Sequence, residues 1–260
     1  MQPTAYDQVN RLLEHLQGQI QNTLGDKLVG LYLYGSLISG DFDDNLSDVD
    51  LTAALRDNLT DADLDALRSM HQNLVAAFPQ WDNRLEVAYI TLHALRHFRT
   101  EYENIGIISP GEPLHLKRAG IDWLMNWYLV RSMGVTLFGP APETIIVPVS
   151  REEFLQAVRE HLLAWSSYIT DSSPHHGSQA YAVLTMCRGL YTLRHGEHVS
   201  KLKAAAWAQG ELPEWAALIR NALVWRQKMH EYGTIPPPPF EETERFVRFV
   251  IDRVEADYGR

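Results

Sequence analysis

Leu28-Val29-Gly30-Leu31-Tyr32-Leu33-Tyr34 is an apolar, β-prone run that stops at Gly35-Ser36, and after eleven intervening residues Asp48-Val49-Asp50 heads a second apolar run ending at Leu55. The first run predicts a buried strand closed by a turn. If Ser47 to Leu55 is also extended, Asp48, Asp50 and Thr52 share one face while Val49, Leu51 and Ala53 share the other. One face is then free to join a core, and the opposite face carries two carboxylates about 7 Å apart at the backbone.

That pairing constrains the chemistry. A glycine lets backbone approach a ligand closely, and the hydroxyl of Ser36 and nearby amides can donate to phosphate oxygens if a helix begins there. Two like charges side by side repel unless a cation lies between them. Hard oxygen ligands beside phosphate point to magnesium rather than zinc. The alternating run Arg84-Leu85-Glu86-Val87-Ala88-Tyr89-Ile90 reads as another strand, and Glu86 can face the aspartates if the two strands are neighbours. Its role is then a general base toward an acceptor hydroxyl or a further metal ligand. Read from these residues, the set indicates nucleotidyl transfer.

The rest of the chain bounds this reading. Its 260 residues suffice for two compact domains, and 45% hydrophobic with 22% charged residues is ordinary for a globular protein. A helix is expected over about 6 to 24, where Val9, Leu12, Leu13, Leu16 and Ile20 recur at helical spacing, and another near 61 to 78. A further helix is read over 122 to 134, followed by a break at Phe138-Gly139-Pro140-Ala141-Pro142. Ser150 with Glu153 three residues on resembles a capping box opening a helix to about 169. Later helices are expected at about 178 to 195, 201 to 209, 212 to 231 and 241 to 257, with Pro236 to Pro239 as a rigid break. The expected architecture is an α/β (α+β) domain with a mixed sheet over 1–145 and an all-α helical bundle over 146–260.

No apolar stretch approaches eighteen residues and the N-terminus lacks a basic, apolar signal pattern, so a cytoplasmic protein without membrane association is expected. The single cysteine, Cys187, lies in an apolar helical run and reads as a core residue, which excludes a multi-cysteine zinc site. A formal charge of −10 disfavours a broad nucleic-acid surface and suits a cationic small molecule. The expected state is a monomer.

Tyr34-Gly35-Ser36 with Asp48-Val49-Asp50 is similar to the nucleotidyltransferase superfamily signature. Leu184-Thr185-Met186-Cys187-Arg188-Gly189-Leu190-Tyr191, then Gly196-Glu197, Ser200-Lys201 and Ala205-Ala206-Trp207-Ala208, resembles the helical domain of the adenylyltransferases that modify streptomycin and spectinomycin. Leu137-Phe138-Gly139-Pro140 extends the likeness across the domain junction. The resemblance implies ATP as substrate, Asp48, Asp50 and Glu86 around magnesium, and Glu86 as the base. It also implies Gly35, Ser36 and Ser47 at the phosphates, Arg188 and Lys201 reaching them from a helical domain that covers the nucleotide, and a cationic acceptor. Where the family offers acids just before the Leu184-Thr185 helix, this chain has Gly177-Ser178-Gln179-Ala180-Tyr181.

Two other readings share parts of this pattern. Small nucleotidyltransferases that modify a partner protein use the same chemistry, but are usually single short domains. A non-catalytic nucleotide-binding regulator has no need to retain all of Asp48, Asp50 and Glu86.

Overall fold

The structure, a computed structural model, describes residues 2–171, 175–228 and 239–258, the side chains of 170 and 171 excepted. Its contacts divide it into two compact units, Met1–Val149 and Ser150–Arg260. Among the described residues no helix is long and apolar enough to cross a membrane.

In the first unit α1 (Asp7–Leu24) leads into β1 (Leu28–Tyr34), a single-turn α2 (Ser36–Ser39) and β2 (Val49–Leu55). α3 (Asp61–Ala77), β3 (Leu85–Thr91) and α4 (Leu92–His97) follow, and then the pair β4 (Glu103–Ser109) and β5 (Glu112–Ala119). α5 (Leu124–Met133), β6 (Val135–Phe138) and α6 (Pro142–Ile145) complete it. The six strands form one mixed sheet in the order β5-β4-β3-β2-β1-β6. Only β2 and β3 run parallel, and α3 makes the crossover between them; the other neighbours are antiparallel.

The expected period-of-two and period-of-3.6 patterns build the core. Val9, Leu12, Leu13, Leu16 and Ile20 of α1 are at most 2% exposed and pack in one cluster with Leu64, Leu67 and Leu74 of α3 and the inner residues of β1, β2 and β3. Burying side chains of this size contributes about 1.5–3 kcal/mol each. Thr60 caps α3 by a reciprocal bond with Asp63. Strands β4, β5 and β6 fall in segments the sequence pattern leaves without strands, and along β5 only Leu114 and Ala119 are buried.

The second unit is helical throughout its described elements: α7 (Arg151–Asp171), α8 (His176–His195), α9 (Lys201–Glu211), α10 (Ala216–Gln227) and α11 (Phe240–Tyr258). The capping box at its start is present: the Ser150 amide donates to Glu153 Oε2 at 2.8 Å, and the Glu153 amide donates to Ser150 Oγ at 3.1 Å. α8 is the central helix, in contact with α7, α9, α10 and α11. Cys187 lies on it fully buried, its thiol pushed up to about 12 by that burial, which suits a core residue. The polar Gln179 is buried as well, and its side-chain carbonyl accepts from Thr243 Oγ1 of α11 at 2.7 Å. Pro236 to Pro238 lie outside the described residues.

Candidate active site

Sheet register brings the acidic residues together. Asp50 of β2 is the direct partner of Tyr34 on antiparallel β1 and of Glu86 on parallel β3, so the three form one row across the sheet. Asp48 stands immediately before β2, one residue outside the strand expected to contain it. Carboxylate oxygens of Asp48, Asp50 and Glu86 lie within 4.8 Å of one another, and all three side chains are half-buried. Three carboxylates at this spacing form an all-oxygen donor set of the kind that hard divalent cations take.

The turn after β1 is shaped by this cluster. Gly35 has φ +75°, and a Cβ added there would stand 1.8 Å from Asp50 Oδ2. The position therefore needs glycine twice over, for the left-handed backbone and for room beside a carboxylate. Ser36 opens α2 directly behind it, and its Oγ is buried with no hydrogen-bond partner among the described residues.

Ser47 is only 3% exposed and braces the loop: its Oγ accepts from the Asp43 amide at 3.0 Å, and its own amide donates to the Asp43 carbonyl at 2.9 Å. Arg84 donates to the Ser47 carbonyl through Nε at 3.0 Å and Nη2 at 2.6 Å, while its guanidinium lies 4.6 Å from the Trp81 ring centroid. The loop end that delivers Asp48 is thereby tied to the residue entering β3. Burial lowers the Arg84 pKa, against the opposing pull of Asp48, Asp43 and Asp44.

Glu86 has its pKa raised, first by burial and then by the charge of Asp48, while a hydrogen bond from Tyr34 and the charge of Lys117 partly offset the shift. The Tyr34 hydroxyl donates to Glu86 Oε1 at 3.3 Å. Burial and the neighbouring charges of Glu86 and Asp50 hold that phenol well above its ordinary value. A carboxyl shifted upward is a better proton acceptor than an ordinary surface glutamate.

The sequence pattern assigns no role to Tyr34 or Arg84, which the structure places at the carboxylate cluster and at the loop leading to it. Tyr34 carried a signal, since it precedes the glycine and an antiparallel return places it opposite Asp50. Arg84 carried none short of the β2–β3 register, which sets Val49 against Leu85 and so Arg84 level with Asp48.

In the second unit, Arg188 on α8 acts electrostatically on two half-buried histidines. Burial first, and the Arg188 charge second, lower the His161 pKa and bring that of His198 to about 3. Lys201 begins α9, whose cap is Ser200, and its Nζ lies 5.3 Å from the Tyr181 ring centroid.

Comparison with known proteins places this geometry among relatives. Residues 144–253 match the family model described as aminoglycoside adenylyltransferase, C-terminal domain. Over 280 aligned positions spanning 100% of both chains, the sequence is 25% identical to an aminoglycoside (3'') (9) adenylyltransferase of Shigella flexneri. It is 26% identical to a spectinomycin 9-adenylyltransferase of Staphylococcus aureus over 212 residues, 75% of this chain and 76% of that one. The spectinomycin adenyltransferase AAD(9) from Enterococcus faecialis, solved with ATP and spectinomycin, has a similar fold with a TM-score of 0.72 at 16% identity. That likeness covers 94% of this chain and 98% of that one.

Proposed function

We propose that this chain, which belongs to the aminoglycoside nucleotidyltransferase family and is a nucleotidyltransferase, transfers AMP from ATP to a hydroxyl of a cationic aminoglycoside or aminocyclitol antibiotic and releases pyrophosphate. The observation that carries the reading is the convergence of Asp48, Asp50 and Glu86 on one patch of sheet, beside a glycine turn that packs directly on the Asp50 carboxylate. The names of the relatives supply the acceptor class, and a formal charge of −10 suits a cationic guest.

The residues fit a magnesium ion. The donor set is entirely carboxylate, and the missing Cβ at Gly35 is what lets the Asp50 carboxylate take its place in that set. Asp48 and Asp50, with Glu86 beside them, would hold it, and a bound ion would offset charge on the triphosphate and its leaving group. Ser36, with an unpartnered buried hydroxyl next to the carboxylates, is assigned to phosphate binding together with the backbone at Gly35. Ser47 is assigned to the same region, fixed by Arg84 so that Asp48 enters β2 in one orientation.

Glu86 accepts the proton of the acceptor hydroxyl. The acceptor oxygen forms a bond to the α-phosphorus as the bond from that phosphorus to the bridging oxygen breaks, and pyrophosphate departs with the electron pair. Tyr34 keeps one Glu86 oxygen engaged, so that the other is presented to the substrate. Holding the hydroxyl in line with the scissile bond supplies a large part of the acceleration.

Arg188 and Lys201 are assigned to the triphosphate of ATP on the strength of the family resemblance. Arg188→Ala should then weaken ATP binding in equilibrium titration, whereas an unchanged nucleotide affinity removes that role.

Incubation with Mg-ATP and a panel of aminoglycosides, followed by pyrophosphate release and product mass, tests the function as a whole. A gain of one adenylyl group on streptomycin or spectinomycin is expected. ATP binding without modification of any panel member would set aside the acceptor class while leaving the nucleotide site standing.

A further inference from the structure

The far end of β3 carries a second set of ligand-type side chains, chemically unlike the first. α4 leaves β3 directly and bears His93 and His97 four residues apart, which places them one turn apart on the same helix face. Their rings are stacked with centroids 4.2 Å apart. The chain then returns so that Glu101 Oε2 lies 2.9 Å from His93 Nε2, and Glu103 Oε1 lies 3.5 Å from the same nitrogen. One ligand atom from each of His93, His97 and Glu101 lies within 4.8 Å of the others, and all three residues are exposed to solvent. Glu86 stands at the opposite end of β3, about 17 Å of strand away at ~3.3 Å per residue, so this cluster is separate from the carboxylate site.

The cluster is braced from beneath by one buried hydroxyl. Thr91 Oγ1 accepts from the Ala94 amide at 2.9 Å, capping the helix that carries both histidines, and donates to Glu103 Oε2 at 2.9 Å. Helix start and carboxylate orientation are thus set by a single side chain that is 6% exposed. Support of this kind around ligands is what lowers the cost of assembling a metal site. A surface histidine–glutamate pair by itself contributes little and gives no reason for a second imidazole to stack beside the first.

We propose that His93, His97 and Glu101 bind a borderline transition cation, zinc foremost, with Glu103 as a further carboxylate that Thr91 holds ready. Two imidazoles and a carboxylate suit zinc, whereas the all-oxygen set of Asp48, Asp50 and Glu86 suits magnesium. Three protein ligands leave a coordination position open to water or an external ligand. A bound ion would tie α4 to the turn before β4, stapling the connection that follows β3.

The test uses the full chain without a histidine tag, stripped by a chelator and titrated with zinc against a chromophoric competitor in excess magnesium. One equivalent of zinc should bind at micromolar concentration, and cobalt in its place should give visible ligand-field bands. His97→Ala and Glu101→Gln should each weaken zinc binding by about tenfold or more and alter or remove the cobalt bands. Because these side chains are exposed, circular dichroism and the metal-free melting temperature of both variants should match the parent. Zinc should raise the melting temperature of the parent and not that of His97→Ala. Failure of the parent to take up zinc would overturn the proposal, as would uptake with unchanged affinity and cobalt spectrum in a His93→Ala, His97→Ala double variant.

Discussion

Gly35 concentrates the constraints on the candidate site in one residue. Its φ of +75° and the 1.8 Å approach of an added Cβ to Asp50 Oδ2 act on the same atoms that define the carboxylate cluster. Gly35→Ala should therefore cost more than about 1 kcal/mol in chemical denaturation, because alanine at positive φ is strained. It should also push Asp50 from its place and depress transfer far more than that loss of stability explains. Transfer at the parental rate by a folded Gly35→Ala protein would show that the turn is not part of the site. Much at this scale was legible in the sequence: Gly35, Ser36, Asp48, Asp50 and Glu86 stand out by type and spacing. Tyr34 and Arg84 do not, because the pairings that give them work, with Glu86 and with the Ser47 carbonyl, exist only once the strands are in register.

Between elements, the tie from α3 to β3 is a buried polar contact whose pH dependence can be worked out. His71 Nε2 lies 2.8 Å from Tyr89 Oη in the core, and burial lowers the His71 pKa to about 4. The ordinary histidine value is about 6.5, so the unfolded chain binds the proton more readily than the native state does. The stability due to neutral His71 is fully present above about 6.5 and is lost as the pH falls from there through about 4. The loss is about 3 kcal/mol, at 1.36 kcal/mol for each unit of pKa difference. His71→Gln, whose amide can still pair with Tyr89 but does not titrate, should flatten that part of the profile in urea unfolding across this pH range. An identical slope in parent and variant would contradict it. Elements with a strong hydrophobic period, α1, β1, β2, α3 and β3, were legible from the sequence. β5 was not: of Glu112 to Ala119 only Leu114 and Ala119 are buried, so the alternation that marks a half-buried strand is missing. β6 is four residues long at an edge and offers too short a pattern to stand out.

Across the molecule, the two units carry different shares of the evidence. The first holds the carboxylate cluster, assembled by strand register, and the second holds the family match, carried by helices around α8. What the sequence leaves undetermined is the acceptor. Specificity depends on side chains brought together from distant parts of the chain, and the segment Gly177 to Tyr181 lacks the acids that the resemblance implies. The reaction itself rests on fewer residues, with distinct consequences for each. In the proposed reaction Asp50 serves cation binding and Glu86 proton removal. Single-turnover transfer of label from α-labelled Mg-ATP to the acceptor, run in parallel with ATP-binding titrations, separates the two. Parent protein should label the acceptor, Glu86→Gln should bind Mg-ATP with near-parental affinity and fail to transfer, and Asp50→Asn should fail in magnesium-dependent transfer while remaining folded. Transfer at the parental rate by either folded variant would contradict the account.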